Sequence, residues 1–342
     1  MKAALMEGHG GPEVLQIGEL PDPEPRSGEV VLHVKAVALN HLDLWVRRGL
    51  PGLDLEMPHV GGSDMAGTIA RLGPNVSGWS EGDRVVVNPA VWCERCEWCA
   101  SGEHSQCERF QILGEHLPGG LAEQARVPAR NLLRLPDEFE FERAAAAPLV
   151  FQTAWRAVVT RGQLTAGDTL LVTGASGGVS TAAIQIGVLA GATVYAVTSG
   201  SQNVERVREL GAHVVIDRLE ESFSRRVREE TGRRGVDVIV DGVGESIWED
   251  ALRTLAPGGR LVTYGATTGP AGRVDIRRLF WRQAAILGST MAGAGDFERV
   301  MGLVFDGRLV PVVDGVHPLE RIREAHERLE RGDVFGKLVL VP

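Results

Sequence analysis

The chain has 342 residues, long for one hydrophobic core and enough for two domains. Apolar residues make up 44% and charged residues 24%, as in ordinary soluble globular proteins, and the formal net charge of −9 argues against nucleic acid and anionic membranes as partners. No apolar run approaches membrane-spanning length, and the start, MKAALMEGHGG, has no cleavage pattern, so a cytoplasmic enzyme with a small-molecule substrate is expected. Lysine occurs only at Lys2, Lys35 and Lys337, and arginine supplies nearly all the positive charge.

Residues 1–150 read as a β-leaning domain. Short apolar runs (Glu29 to Val37, Gly67 to Leu72, Arg84 to Val87) are separated by turn chemistry at Pro21-Asp22-Pro23, Gly73-Pro74-Asn75 and Glu81-Gly82-Asp83. His41 to Arg48 predicts a short helix with Asn40 as its cap. All four cysteines fall within residues 91–110, as Cys93, Cys96, Cys99 and Cys107, in the spacing C-x2-C-x2-C-x7-C. Such a cluster suits a tetrahedral four-thiolate zinc lobe, closed to substrate and therefore structural. Two disulfides, which a reducing compartment disfavours, and an iron centre are the alternatives.

The second domain is organised around Leu170 to Ser199, LLVTGASGGVSTAAIQIGVLAGATVYAVTS. An apolar run, a glycine-rich turn (Gly174-Ala175-Ser176-Gly177-Gly178), a helical pattern closed by Gly191 and a second β-branched run follow each other. This is the strand–turn–helix–strand unit that binds a dinucleotide: glycines admit the pyrophosphate, and the first helical turn offers it unpaired N–H groups. Against the GxGxxG template, Ala175 and Ser180 replace the outer glycines and Gly177 keeps the middle one; a tight turn without a ligand is the plainer reading. No acidic residue stands between Asp168 and Glu205 to bond a ribose 2′-hydroxyl. Thr198, Ser199 and Ser201, with Arg206 near, suit a 2′-phosphate, so NADP(H) is expected over NAD(H).

Further on, strands are expected at Val214 to Ile216, Val236 to Val240, Arg260 to Tyr264 and Ile286 to Gly288, and a charged helix at Leu219 to Thr231. A helix from Phe139, with Ala144 to Ala147 near its end, leads to a crossing segment around Thr153 and Trp155. The alternation implies an α/β, doubly wound parallel sheet. A helix at Leu319 to Arg331 and a strand at Lys337 to Val341 end the pattern.

With these in order, the whole chain resembles the medium-chain dehydrogenase/reductase superfamily, in its zinc-containing alcohol dehydrogenase-like and quinone oxidoreductase-like branch. GPEVLQIGELPDPEP, ALNHLDLW, GGSDMAGTI, GDRVVVNP, the cysteines, VTGASGGVSTAAIQ, LAPGGRLVTYG and DVFGKLVLVP carry the resemblance. It implies a GroES-like catalytic domain (residues 1–150, zinc lobe at 91–110), a Rossmann domain (151–289), a return segment (290–342) completing the first, and an active site in the cleft between them. It also implies a homodimer or homotetramer, with Ala284 to Ala292 as the edge that pairs. Candidate cofactor-binding residues are Thr153, Gly174, Ser176, Gly177, Gly178, Val179, Thr198, Ser199, Ser201 and Gly265.

The family's catalytic-zinc ligands are replaced here by Asn40, Ser63 and Leu149. An amide and a hydroxyl are poor zinc ligands and a leucine is none; a site rebuilt from His41, Asp43 and His59 is the alternative. Candidate catalytic residues are Asn40, as an amide donor to a developing oxyanion, His41, as a phosphate contact or proton donor, and Asp43. Trp45, Trp92, Leu149 and Phe151 are candidates for an apolar pocket. Family members without catalytic zinc resemble quinone oxidoreductases and enone reductases, so an NADP(H)-dependent reductase of quinones or activated alkenes with one structural zinc is expected. An unconventional alcohol or carbonyl dehydrogenase and a nonenzymatic NADPH-binding protein are the other readings.

Overall fold

The computed structural model describes residues 1–342. The chain forms two compact units, Met1–Leu149 together with Ala292–Pro342, and Val150–Met291.

The first unit is built on a seven-stranded sheet. Leu132–Arg134, Arg84–Val87, Asp64–Leu72, Glu29–Ala38, Lys337–Val341 and Val313–Pro318 lie side by side in that order, and Gln124–Pro128 also pairs with Glu29–Ala38. In the middle of Glu29–Ala38, His33 and Lys35 are exposed and alternate with buried Val34 and Ala36, the period of two of a half-buried strand. A three-stranded sheet, Leu15–Glu19, Lys2–Met6 and His59–Val60, shares its core, where Leu5, Leu32, Val37, Leu44, Met65 and Leu340 are buried.

Strand register brings three distant residues together. Ala38 pairs with Asp64 on one side and with Val339 on the other. The Leu39 N–H donates to Leu338 O at 2.9 Å. Asn40 just beyond one strand, Asp64 at the start of the second and Lys337 at the start of the third therefore converge at one end of the sheet. The helix His41–Arg48 starts from Asn40, and Asp43 in its first turn reaches back to accept the Asn40 N–H at 2.7 Å.

The second unit is a six-stranded parallel sheet. Its order is Val214–Asp217, Thr193–Thr198, Thr169–Val172, Val236–Asp241, Leu255–Thr263, Ala285–Gly288. The order reverses between Thr169–Val172 and Val236–Asp241, so the crevice at the carboxyl ends of these two strands is the topological switch point of a doubly wound fold. Ala285–Gly288 is an edge strand, preceded by the helix Ile276–Arg282, whose Ile276, Phe280 and Trp281 are exposed.

Element boundaries differ from expectation where side chains redirect the backbone. The charged helix is only Phe223–Glu230, because Asp217 holds Leu219 N–H at 3.0 Å and Ser222 caps the helix. The helix expected from Phe139 breaks into Phe141–Ala145 and Pro148–Trp155, the second starting on the proline and running on as a π-helical stretch to Arg161. Leu255–Thr263 is longer than expected and takes in Pro257 and Gly258 at an irregularity in its pairing. No helix is long and apolar enough to cross a membrane.

Candidate functional site

At the switch point the glycine turn follows the strand Thr169–Val172. Gly174 has φ +56°, and a Cβ there would sit 3.0 Å from Val243 Cγ2. The helix Gly178–Leu189 begins after Gly177 with no side-chain cap, which leaves its first-turn N–H groups to a ligand. Side chains lock the turn from behind. Ser180 Oγ donates to Thr173 O at 2.8 Å and lies 3.1 Å from the Tyr264 hydroxyl. Asp241, fully buried, accepts from Thr173 Oγ1 at 2.6 Å and from the Val243 and Gly244 N–H groups at 3.0 and 3.1 Å, so it ties the two switch-point strands together. Burial raises the Tyr264 hydroxyl well above its usual range, and the group stays neutral. Gly265 lies against Gly242 across these strand ends, 3.3 Å from a Cβ position to Gly242 O. Ser176, Gly177, Gly178 and Val179 are all partly exposed around the turn. The open turn and its uncapped helix fit a dinucleotide pyrophosphate. Thr153 is buried and lies 3.9 Å from Met291 Sδ.

At the end of Thr193–Thr198, Thr198 is buried and its hydroxyl has no partner. Ser199 is partly exposed, and its Oγ accepts from Arg218 Nε at 2.6 Å. Ser201 opens the helix Ser201–Glu209. Arg218 brings a guanidinium to Ser199 from beyond the neighbouring strand Val214–Asp217, a residue to which sequence order, pointing to Arg206, does not lead.

In the first unit, the three family ligand positions do come together, around a different chemistry. Asp64, 0% exposed, is the hub. Its Oδ2 accepts from Asn40 Nδ2 and from Lys337 Nζ, each at 3.0 Å, and its Oδ1 accepts from Leu149 N at 2.7 Å. Lys337 Nζ also donates to Asn40 Oδ1 at 2.5 Å. The ammonium and carboxylate together fix the amide: the reverse orientation would set NH2 against NH3⁺. Asn40 is therefore not the free oxyanion donor that sequence order suggests, because its amide hydrogens face Asp64 and, at 3.4 Å, Ala38 O. Ser63 is fully buried with an unpaired hydroxyl.

The other candidates have structural partners. Asp43 uses Oδ2 on Asn40 N and Oδ1 on Gly62 N, 3.0 Å away, and burial lifts its carboxyl to about 6. Gly62 has φ +89° and no room for a side chain, since a Cβ would meet Leu121 at 2.7 Å. His59, buried, holds Gly114 O at 3.1 Å. His41 lies beside the cluster, and burial followed by the Lys337 charge lowers its pKa, keeping it neutral. His41, Asp43 and His59 form no ligand set; the one group of such residues close enough to hold an ion is the cysteine quartet. Of the pocket candidates, Phe151 is core, and Trp92 packs on His104 at 4.5 Å in the cysteine lobe. Sequence order gives no sign that Lys337 joins this cluster. Its signal is rarity: it is a lone lysine opening the apolar run Leu338 to Val341.

The cysteines are free thiols whose sulfurs lie within 4.8 Å of one another, Cys93–Cys99 at 3.9 Å and Cys96–Cys99 at 3.5 Å. Zn–S bonds of ~2.3 Å in a tetrahedron put sulfurs ~3.8 Å apart, so the quartet fits zinc. Backbone N–H groups of Cys93 and Arg109 both point at Cys107 Sγ from 3.3 Å, as suits a thiolate.

The match to known proteins spans both units. Residues 26–137 match the alcohol dehydrogenase GroES-like domain, and 178–306 match the zinc-binding dehydrogenase domain. The chain is 32% identical to an acryloyl-coenzyme A reductase of Metallosphaera sedula over 99% of both chains. It is 28% identical to the quinone oxidoreductase of Homo sapiens, over 100% of this chain and 98% of the relative. A solved structure titled as an NAD-dependent alcohol dehydrogenase superposes with a TM-score of 0.97 at 44% identity, over 100% of each chain. A GroES-like unit with a cysteine lobe and a doubly wound unit with an open glycine turn place this chain in the medium-chain dehydrogenase/reductase superfamily, as an oxidoreductase of its alcohol dehydrogenase-like and quinone oxidoreductase-like branch.

Proposed function

We propose that the chain is an NADPH-dependent reductase of conjugated carbonyl compounds, 2-enoyl thioesters and enones first and quinones second, with one structural zinc and no catalytic zinc. The carrying observation is that Asn40 and Leu149, at two of the three metal-ligand positions, are bonded to the Asp64–Lys337 pair instead. A simple ketone places full charge on one oxygen when hydride adds, which a Lewis acid meets well. A conjugated carbonyl spreads that charge over an enolate, which hydrogen bonds suffice to hold. The reduced nicotinamide supplies the hydride. The acryloyl-CoA reductase and quinone oxidoreductase relatives support this class; the solved alcohol dehydrogenase at 44% identity favours the second reading, oxidation of a simple alcohol. A side-by-side assay separates them: the expected result is turnover of a short 2-enoyl thioester or enone with NADPH that survives mild chelation. Brisk alcohol oxidation abolished by chelators, with no enoyl or quinone turnover, would overturn it.

The cofactor reading rests on Ser199 and Arg218. That solved relative is named for NAD, but here the end of Thr193–Thr198 carries the Ser199 hydroxyl beside the Arg218 guanidinium, and the one carboxylate paired there, Asp217, already takes the Gly200 and Leu219 N–H groups, each at 3.0 Å, on Oδ1. A charge-assisted bond to a 2′-phosphate is worth ~1.5–3 kcal/mol. Arg218→Ala should therefore lower kcat/KM for NADPH by about tenfold to a hundredfold and leave NADH nearly unchanged. Equal losses with both cofactors, or a wild type that prefers NADH, would reject the assignment.

For assembly, the unpaired edge Ala285–Gly288 beside exposed Phe280 and Trp281 supports pairing with a second copy. A dimer or a dimer of dimers is expected, and light scattering that gives the mass of one chain at micromolar concentration would contradict it.

A further inference from the structure

We propose that the buried ammonium of Lys337 is the charged hydrogen-bond donor that meets the substrate's carbonyl oxygen as it becomes an enolate. The proposal rests on the reductase reading above. Lys337 is 3% exposed, and of its three N–H bonds one goes to Asn40 Oδ1 and one to Asp64 Oδ2. The third has no protein acceptor. A buried N–H without a partner is costly, so a site built this way expects an oxygen from a ligand or a water. A second group points the same way: Ser63, next to Asp64, is fully buried with its hydroxyl unpaired. Two polar groups next to or bonded to one carboxylate are thus left incomplete by the protein itself.

The amide and backbone donors of the cluster are occupied. Asn40 turns its amide to Asp64 and Ala38, the Leu149 N–H is held by Asp64, and Asp43 takes the Asn40 and Gly62 N–H groups. Asp64 balances the ammonium and Asn40 aims it, so both act as positioning residues.

The step is electrostatic at Lys337. A bound reduced nicotinamide would supply the hydride that forms the new C–H bond at the β-carbon. The alkene π pair moves to the bond between the α-carbon and the carbonyl carbon, and the carbonyl π pair moves to oxygen, where the third N–H of Lys337 holds it. When the carbonyl re-forms, the α-carbon takes a proton from water, and Lys337 keeps its own. One donor at an oxyanion is worth about a hundredfold to a thousandfold in kcat.

The test compares Lys337→Met, Lys337→Gln and Lys337→Arg with the wild type on two substrates, a short 2-enoyl thioester and a benzoquinone. Reduced quinone carries its charge on a far weaker base than an enolate and needs less stabilisation at oxygen. The expected result is a loss of kcat of about a hundredfold or more on the thioester in Lys337→Met, with a several-fold smaller loss on the quinone and unchanged NADPH affinity by fluorescence titration. Lys337→Gln, which keeps a neutral donor, should fall between, and Lys337→Arg should recover most of the thioester rate. Loss by the same factor on both substrates, or Lys337→Met and Lys337→Gln within threefold of wild type, overturns the proposal. Should the neutral variants fail to fold, the double variant Asp64→Leu with Lys337→Met, which removes the ammonium together with its counter-charge, must show the same selective loss on the thioester, and an unchanged thioester-to-quinone ratio overturns the proposal. Wild-type inactivity on both substrates fails the reductase reading itself and is recognised before any variant is made.

Discussion

Asp64→Leu is expected to destabilise the first unit by about 3–5 kcal/mol, the usual cost of removing one partner of a buried ion pair. The carboxylate has no exposure, and its loss strands three donors at once: the Lys337 ammonium, the Asn40 amide and the Leu149 N–H. Most of the cost comes from the buried ammonium, which is left with the Asn40 oxygen as its one hydrogen-bond acceptor. The double variant Asp64→Leu with Lys337→Met should regain a large part of the loss, because a buried ion pair replaced by apolar groups of similar volume is close to neutral. Urea denaturation of the four members of that cycle measures the coupling. If Asp64→Leu costs under about 1 kcal/mol, or if the double variant is no better than the single, the hub assignment is wrong.

The second large effect is expected in the cysteine lobe. Cys99→Ser removes a buried thiol from a quartet whose sulfurs are spaced for one tetrahedral ion. Structural zinc contributes on the order of 10 kcal/mol to small folded sites, and the lobe between Val91 and Phe110 holds only a single helical turn, Glu97–Ala100, and the 3-10 turn His104–Gln106. Elemental analysis should fall from about one zinc per chain to near none, and limited proteolysis should cut first within the lobe. A folded Cys99→Ser protein with a full equivalent of zinc and an intact lobe would remove the cysteines from the metal assignment, and two zinc ions in the wild type would mean that a further site exists.

These two sites differ in how they could be read from sequence. The glycine turn and the cysteine quartet are local: each lies on one short stretch, so spacing alone carries the geometry. The Asp64 hub is not. Asn40 and Asp64 are 24 residues apart and Lys337 lies 273 residues beyond Asp64, and only the pairing of Ala38 with both Asp64 and Val339 brings them together. Sequence reading marks Asn40 and Ser63 as poor metal ligands and Leu149 as none, but it has no means of seeing that Lys337 joins Asp64 and Asn40 there. The same limit explains Arg218. The register of Thr198 against Asp217 sets it beside Ser199, while counting along the chain favours the nearer Arg206.

The placement of Lys337–Val341 beside Glu29–Ala38 also orders events during synthesis. Val150–Met291 is a continuous segment, complete before any residue of Ala292–Pro342 is made. Domains fold as units while the chain emerges, so the dinucleotide-binding unit can form, and can hold its nucleotide, while the other sheet still lacks the strand that carries Lys337. A nascent chain at that stage would bind cofactor without the charged group that completes the cluster around Asp64. On the proposed reductase reading, competence for hydride transfer would come with the last strand laid into the sheet, after the Val150–Met291 unit is complete.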